Sequence, residues 1–149
     1  MVEPSRPANP HADSLESLLQ PLPRCALCVG VDIIEIDRVR AVVERWGERF
    51  LARIYTSNER AYCRGRAPQL AARFAAKEAT MKALGTGIRG VGWKEIEVAR
   101  EPSGAPSLRL NGRALQKAKS LRLTHFALSI SHSRDYAVAL VIASPEETQ

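Results

Sequence analysis

Asp32, Glu78, Lys82 and His132 are the side chains whose type and setting could do chemistry. Asp32 interrupts the β-branched run from Ala26 to Ile36 and has no local partner. Glu78 and Lys82 stand four apart on one edge of a pattern that is otherwise apolar. His132 ends a run of alternating apolar residues. Two carboxylates converging from different elements make a hard oxygen site suited to Mg²⁺, which keeps waters and shares its shell with substrate phosphates. A lysine beside them adds positive charge for phosphate oxygens. That combination points to phosphoryl-group chemistry on a nucleotide-like substrate. Each residue also has a plain structural reading. Asp32 could face water at a strand end, and His132 could be a satisfied core residue. Glu78 and Lys82 could form an i,i+4 helix pair contributing ~0.2–0.5 kcal/mol.

The elements that must position these residues follow from periodicity. Leu70, Phe74, Met81 and Leu84 recur at helical spacing and predict a helix over 69–84. Ala72, Ala76, Ala79 and Ala83 line its other side, so a neighbour can approach closely. A helix apolar on both sides is buried, and a charge there is costly unless paired, bound to a metal or used in a reaction. Gly85 stops this helix and opens a glycine-rich stretch to Gly92. That stretch follows a helix instead of leading from a strand into one, so it is neither a P-loop nor a dinucleotide fingerprint. Upstream, the run from Ala26 to Ile36 predicts a strand. Gly30 points to the same face as Asp32 and would leave space beside it.

Asp37 is a natural N-cap for an amphipathic helix carrying Val39, Val42, Val43 and Trp46. Arg38 and Arg45, seven apart, share one face of it, and Arg49 and Arg53 extend the basic character. The cluster reads either as a solvated helix face or as a docking surface for an acidic partner. Thr56 to Glu59 cap a short helix through Cys63, which Gly65 and Pro68 break. The second half predicts a strand over 93–101, a turn over 102–106 and a strand over 107–110. A helix over 112–121 follows, with Leu115, Ala118 and Leu121 inward, and then a strand from Phe126 to His132. Ser133 to Asp135 turn the chain into Tyr136–Ala143, apolar enough to be a central strand. Helices in the first half and antiparallel strands in the second give an α+β domain, its sheet packed on a long central helix.

Bulk properties bound the rest. A chain of 149 residues, 45% hydrophobic and 26% charged, suits one compact domain. No apolar run approaches the ~20 residues that span a bilayer. Twenty-two Lys+Arg against 16 Asp+Glu leave a net charge of +6. The excess points to nucleic acid, a phosphorylated small molecule or an acidic protein as partner. Aromatic content of 5% weighs against a base-stacking binder. Cys25, Cys28 and Cys63 make no disulfide framework. The CxxC pair lacks further zinc ligands and sits where strand geometry turns the two thiols to opposite faces. Reduced cysteines in a cytoplasmic protein are the expectation. Residues 1–24 hold five of the nine prolines and no signal-peptide pattern. They read as a flexible extension before a domain over 25–144 and a frayed tail over 145–149.

Taken in order, three groups of residues resemble the holo-[acyl-carrier-protein] synthases, small 4′-phosphopantetheinyl transferases. They are Gly30-Val31-Asp32 with Arg38 six residues on; Arg73-Phe74-Ala75-Ala76-Lys77-Glu78-Ala79 followed by Lys82-Ala83-Leu84-Gly85-Thr86-Gly87; and Ile130-Ser131-His132-Ser133. The resemblance runs from about Val29 to Ile142. It implies transfer of phosphopantetheine from coenzyme A to a serine of apo acyl carrier protein, with release of adenosine 3′,5′-bisphosphate, in fatty acid biosynthesis. By the same resemblance Asp32, Glu78 and Lys82 are catalytic. Asp32 and Glu78 hold Mg²⁺, and Lys82 sits at the pyrophosphate. Arg73, His132, Ser133 and the loop from Gly85 contact coenzyme A, while Arg38 and Arg45 dock the acidic carrier. The general base stays open between a metal-ordered water relaying through Asp32 or Lys82, and Glu78. A cytoplasmic homotrimer with active sites between subunits is also implied, with neither nucleic acid nor membrane as partner.

The larger transferase subtype fuses two similar halves and carries an extra acid two residues after the Asp. Here that position is Ile34 and the motifs occur once, which favours the short type. A basic nucleic-acid-binding module would account for the charge but not for Asp32, Glu78 and Lys82 in their contexts. Intact motif residues speak against a catalytically silent carrier-binding paralogue.

Overall fold

The computed structural model describes residues 27–146. The extension predicted over 1–24, Cys25, Ala26 and the last three residues lie outside the described residues. The chain runs β1 (Cys28–Glu35), α1 (Ile36–Ile54), α2 (Ser57–Cys63), α3 (Ala67–Leu84), α4 (Gly87–Gly90), a 3-10 turn (Trp93–Glu95), β2 (Ile96–Arg100), β3 (Pro106–Leu110), α5 (Gly112–Ser120), β4 (Leu123–His132) and β5 (Tyr136–Pro145). β1, β5 and β4 form an antiparallel sheet in that order, and β2 pairs with β3 as a hairpin. β5 is central, as its apolar run predicts.

Helix α3 lies across one face of the three-stranded sheet. Ala75, Ala76, Ala79 and Ala83 meet Ala139 and Val141 of β5 in one core cluster. The approach is closest at Gly30. A Cβ there would stand 1.8 Å from the Ala79 carbonyl oxygen and 2.8 Å from the Ala83 nitrogen. The space expected beside Asp32 is therefore filled by the backbone of α3. On the opposite face of the sheet, Val29, Val31 and Ile33 are exposed. They pair across the strands with Ile142, Leu140 and Val138.

A buried ion pair holds α3 from its other side. Lys77 Nζ lies 2.9 Å from Glu59 Oε2 with both side chains fully buried. The same ammonium donates to the Trp93 carbonyl, at 2.9 Å, and to the Ile96 carbonyl. Glu59 accepts from the Thr56 and Val98 amides at 2.8 and 2.9 Å. These partners satisfy both charges and tie α2, α3 and β2 together. Removing either member of such a pair typically costs about 3–5 kcal/mol. The capping role of Thr56 is as expected and Glu59 completes the box. Sequence reading placed no role on Lys77.

Several expectations are corrected. Glu35, not Asp37, occupies the cap position of α1. The Ile36 amide donates to the Asp135 carbonyl at 2.8 Å, so the β4–β5 turn takes over the capping. Asp37 pairs with Arg40 in the first turn. Gly47 departs from helical geometry within α1. Trp46 stands 50% exposed with the Arg45 guanidinium over its ring, off the apolar stripe. Pro68 does not interrupt the chain before the long helix but sits in its first turn, where a missing amide costs nothing. Residues 93–95 are a 3-10 turn and not strand, because Glu95 folds back to accept from the Gly92 amide at 2.6 Å. The glycine-rich stretch contains the single helical turn α4. In α5, Ala114 and Ala118 face inward while Leu115 and, just past its end, Leu121 are partly exposed, so the buried stripe of α5 is carried by alanines. β4 starts at Leu123, and β5 continues through Pro145, taken as frayed tail.

The contact at Gly30 makes a direct forecast. Gly30→Ala should destabilise the fold by about 1–3 kcal/mol through overpacking, measured by chemical denaturation. Stability equal to that of the parent would mean α3 can retreat from β1 without cost.

Candidate active site

The close approach of β1 and α3 brings Asp32, Glu78 and Lys82 together. Lys82 Nζ donates to Asp32 Oδ1 and to the Val31 carbonyl, each at 2.9 Å. The Asp32 side chain is 11% exposed, whereas that of Lys82 is half in solvent. Glu78, one helical turn before Lys82, stands beside Asp32 in the wall of the same cavity. Burial pushes the Glu78 carboxyl above its ordinary range, and the Asp32 charge pushes it further; Lys82 and Arg38 oppose the shift more weakly. Asp32, Arg38, Val42, Phe50, Phe74 and Glu78 line a cavity of about 270 Å³. Its walls combine two carboxylates and one guanidinium with apolar side chains.

Arg73 and His132 belong to a second cavity, of about 170 Å³, with Tyr62, Gln69 and Arg100 among its walls. The two cavities share no lining residue. Asp32 lies on edge strand β1 and His132 on edge strand β4, with β5 between. Two strand spacings, roughly 10 Å, and a two-residue offset in register separate them. One chain thus assembles the expected site residues as two groups, one around Asp32 and one around Arg73. Arg45 is exposed on α1 and lines neither cavity. Ser133 lines neither; its hydroxyl accepts from the Asp135 and Tyr136 amides at 3.4 and 3.3 Å in the β4–β5 turn. Gly85 is the left-handed C-cap of α3, its amide donating to the Lys82 carbonyl.

Tyr62, Gln69 and Arg100 were not anticipated as site residues. Tyr62 is a lone aromatic on a short helix, and Arg100 ends a hairpin strand; neither position carries a local signal. Their association exists only through the fold.

The donor set of the first group fits a hard dication. Asp32 and Glu78 are two carboxylates pressed together at partial burial, and their mutual repulsion is what such an ion relieves. Among the described residues no cluster of three or more His, Cys, Asp or Glu side chains could hold a metal. An ion here would complete its shell from water and substrate oxygens, which is the habit of Mg²⁺ and not of structural zinc.

Residues 28–141 match the family model of the 4′-phosphopantetheinyl transferase superfamily. The holo-[acyl-carrier-protein] synthase of Herpetosiphon aurantiacus is 50% identical over 123 residues, spanning 78% of this chain and 97% of that protein. Among solved structures, the Helicobacter pylori holo-[acyl-carrier-protein] synthase in complex with coenzyme A aligns with a TM-score of 0.72 at 32% identity. That match covers 78% of this chain and 99% of the other. The Bacillus anthracis synthase, in complex with CoA (3′,5′-ADP), aligns at 0.66 and 36% identity, over 80% and 96%.

The strained carboxylates imply a trade between stability and site chemistry. A raised carboxyl pKa means ionisation at neutral pH works against the fold, so neutralising the group relieves that cost. Without metal at pH 8, Glu78→Gln should be more stable than the parent by about 0.5–1 kcal/mol, the scale of a partly screened charge contact. A lower melting temperature for Glu78→Gln would show that the carboxylate is stabilised there and not strained.

Proposed function

The chain belongs to the 4′-phosphopantetheinyl transferase superfamily, and from its site geometry we propose that it is a Mg²⁺-dependent holo-[acyl-carrier-protein] synthase. It moves 4′-phosphopantetheine from coenzyme A to a serine hydroxyl of apo acyl carrier protein, a step of fatty acid biosynthesis. The convergence of Asp32, Glu78 and Lys82 through the β1–α3 contact carries this reading. In the transfer a serine oxygen–phosphorus bond forms as the pyrophosphate P–O bond breaks. The products are the holo carrier, adenosine 3′,5′-bisphosphate and a proton.

Phosphoryl transfer needs in-line positioning and neutralised oxygens more than covalent help. Asp32 and Glu78 would hold Mg²⁺, which when bound neutralises charge on the phosphates. Lys82 is fixed by Asp32 and the Val31 carbonyl while its outer side stays in solvent, placed to meet the pyrophosphate. Asp32 is the hydrogen-bond acceptor in the group and a candidate to receive the serine proton directly or through water. Arg38, in the wall of the same cavity, and Arg45, further along α1, are exposed and supply the docking face for an acidic carrier.

The division of site residues between two cavities supports a shared site. Asp32, Glu78 and Lys82 of one copy would be completed by Arg73 and His132 of the next, within a homotrimer. The apolar outer face of the sheet, with Val29, Val31, Ile33, Leu140 and Ile142 exposed, supplies surface for that assembly. No helix among the described residues is long and apolar enough to cross a membrane. Cys28 and Cys63 are free thiols, which fits the reducing cytoplasm.

Incubation with apo acyl carrier protein, coenzyme A and Mg²⁺ should add the phosphopantetheine mass to the carrier. Asp32→Ala and Glu78→Ala should abolish that addition with the circular dichroism spectrum unchanged. No modification of several carriers by the parent protein would overturn the activity. Subunit exchange tests the shared site: Glu78→Ala and Arg73→Ala are each expected to be inactive alone and to regain turnover when co-refolded. A mixture that stays inactive would place both half-sites in separate roles.

A further inference from the structure

The ring of Tyr62 gathers three guanidinium groups. The central carbon of Arg73 lies 4.0 Å from the ring centroid, that of Arg100 5.8 Å and that of Arg66 5.9 Å. Arg66 donates to the Cys63 and Tyr62 carbonyls, and Arg100 to the Gly104 carbonyl. Arg73 is in a different situation. It is only 7% exposed, and its Nε is buried with no acceptor. No carboxylate pairs with it among the described residues. The neighbouring Cys63 thiol is in polar contact with the guanidinium but, held neutral by burial, offers no countercharge. One turn earlier on α3, the Gln69 side-chain oxygen is also buried and unbonded, and both residues line the His132 cavity.

Three like charges around one ring, with a buried guanidinium left unpaired, are unfavourable until an anion arrives. A carboxylate beside Arg73 would cancel its charge and compete with an incoming phosphate. An aromatic face does neither. It attracts the cation through the ring quadrupole and occupies none of the five in-plane N–H donors. We propose that Tyr62 is a positioning residue for coenzyme A: its ring holds the Arg73 guanidinium in the His132 cavity with no carboxylate on its N–H groups, leaving them to a phosphate. Arg100, in the wall of the same cavity and close to the same ring, strengthens the local potential. This inference rests on the reading that the Arg73 cavity receives coenzyme A.

Titration calorimetry with coenzyme A and with adenosine 3′,5′-bisphosphate, combined with steady-state kinetics, tests it on Tyr62→Leu, Tyr62→Phe and Arg73→Ala. Tyr62→Leu should weaken both ligands about 5- to 30-fold, the scale of a desolvated cation–π contact. It should raise the KM for coenzyme A in step, while kcat and the KM for the carrier stay within about two-fold. Tyr62→Phe keeps the ring face and should restore parental affinity. Leu-like affinity in the Phe variant would assign the effect to the hydroxyl and overturn the proposal. So would parental affinity in Tyr62→Leu, or parallel losses of kcat, carrier KM and melting temperature. If Arg73→Ala binds coenzyme A as tightly as the parent, the cavity reading itself fails and the proposal falls with it. If Arg73→Ala loses affinity while Tyr62→Leu does not, only the role of the ring fails.

Discussion

The contact of β1 with α3 at Gly30 sets the distances on which the site depends. With no side chain at 30 and alanine at 79 and 83, strand and helix meet backbone to backbone. Asp32, two residues along the same face of β1, is thereby carried to the edge of α3. There Lys82 donates to it, and Glu78, its i,i+4 partner, stands beside it in the same cavity wall. A larger residue anywhere in this seam would part the carboxylates before it reached either of them. The alanines of α3 are thus packing residues whose small size has a chemical consequence.

Neighbouring charges on α3 have opposite fates, and the difference lies in what surrounds each. Lys77 is fully buried but finds Glu59 and two carbonyls, so its desolvation is offset by contacts inside the fold. Glu78, next in sequence, faces another carboxylate. The helix is anchored by one charge and holds the next in a state that a cation or a proton must relieve. Rigid support beneath a strained group is what preorganisation for charge stabilisation requires.

Much of the site was legible because charges in apolar contexts demand an explanation. Asp32 in a β-branched run and Glu78 with Lys82 on a buried helix stood out on that ground, and the fold does bring them together. The α+β class, the hairpin and the central placement of β5 were legible from periodicity. Other features depend on contacts that sequence does not encode locally. Gly30 suggested empty space, where the structure has a helix. Asp37 had the right type for a cap, but a turn nearly 100 residues away supplies the acceptor. Leu115 and Leu121 fitted an inward stripe, yet the buried side of α5 is made by Ala114 and Ala118. Tyr62 carried no signal, since its role lies in what approaches its face.

The separation of the two cavities follows from the thickness of a helix. α3 carries Glu78 and Lys82 on the side of β1 and Arg73 toward the hairpin and the end of β4. A helix with its side chains is about 10–12 Å across, so the residues on its two flanks line separate cavities within the chain. A longer chain could fold a second motif-bearing half against the first. The described residues hold one copy of each element, and the proposed trimer would supply the other flank from a neighbouring subunit. The proposed trimer and the divided cavities are in this sense one constraint seen twice. The helix that gives the carboxylates their support also stands between them and the Arg73 cavity.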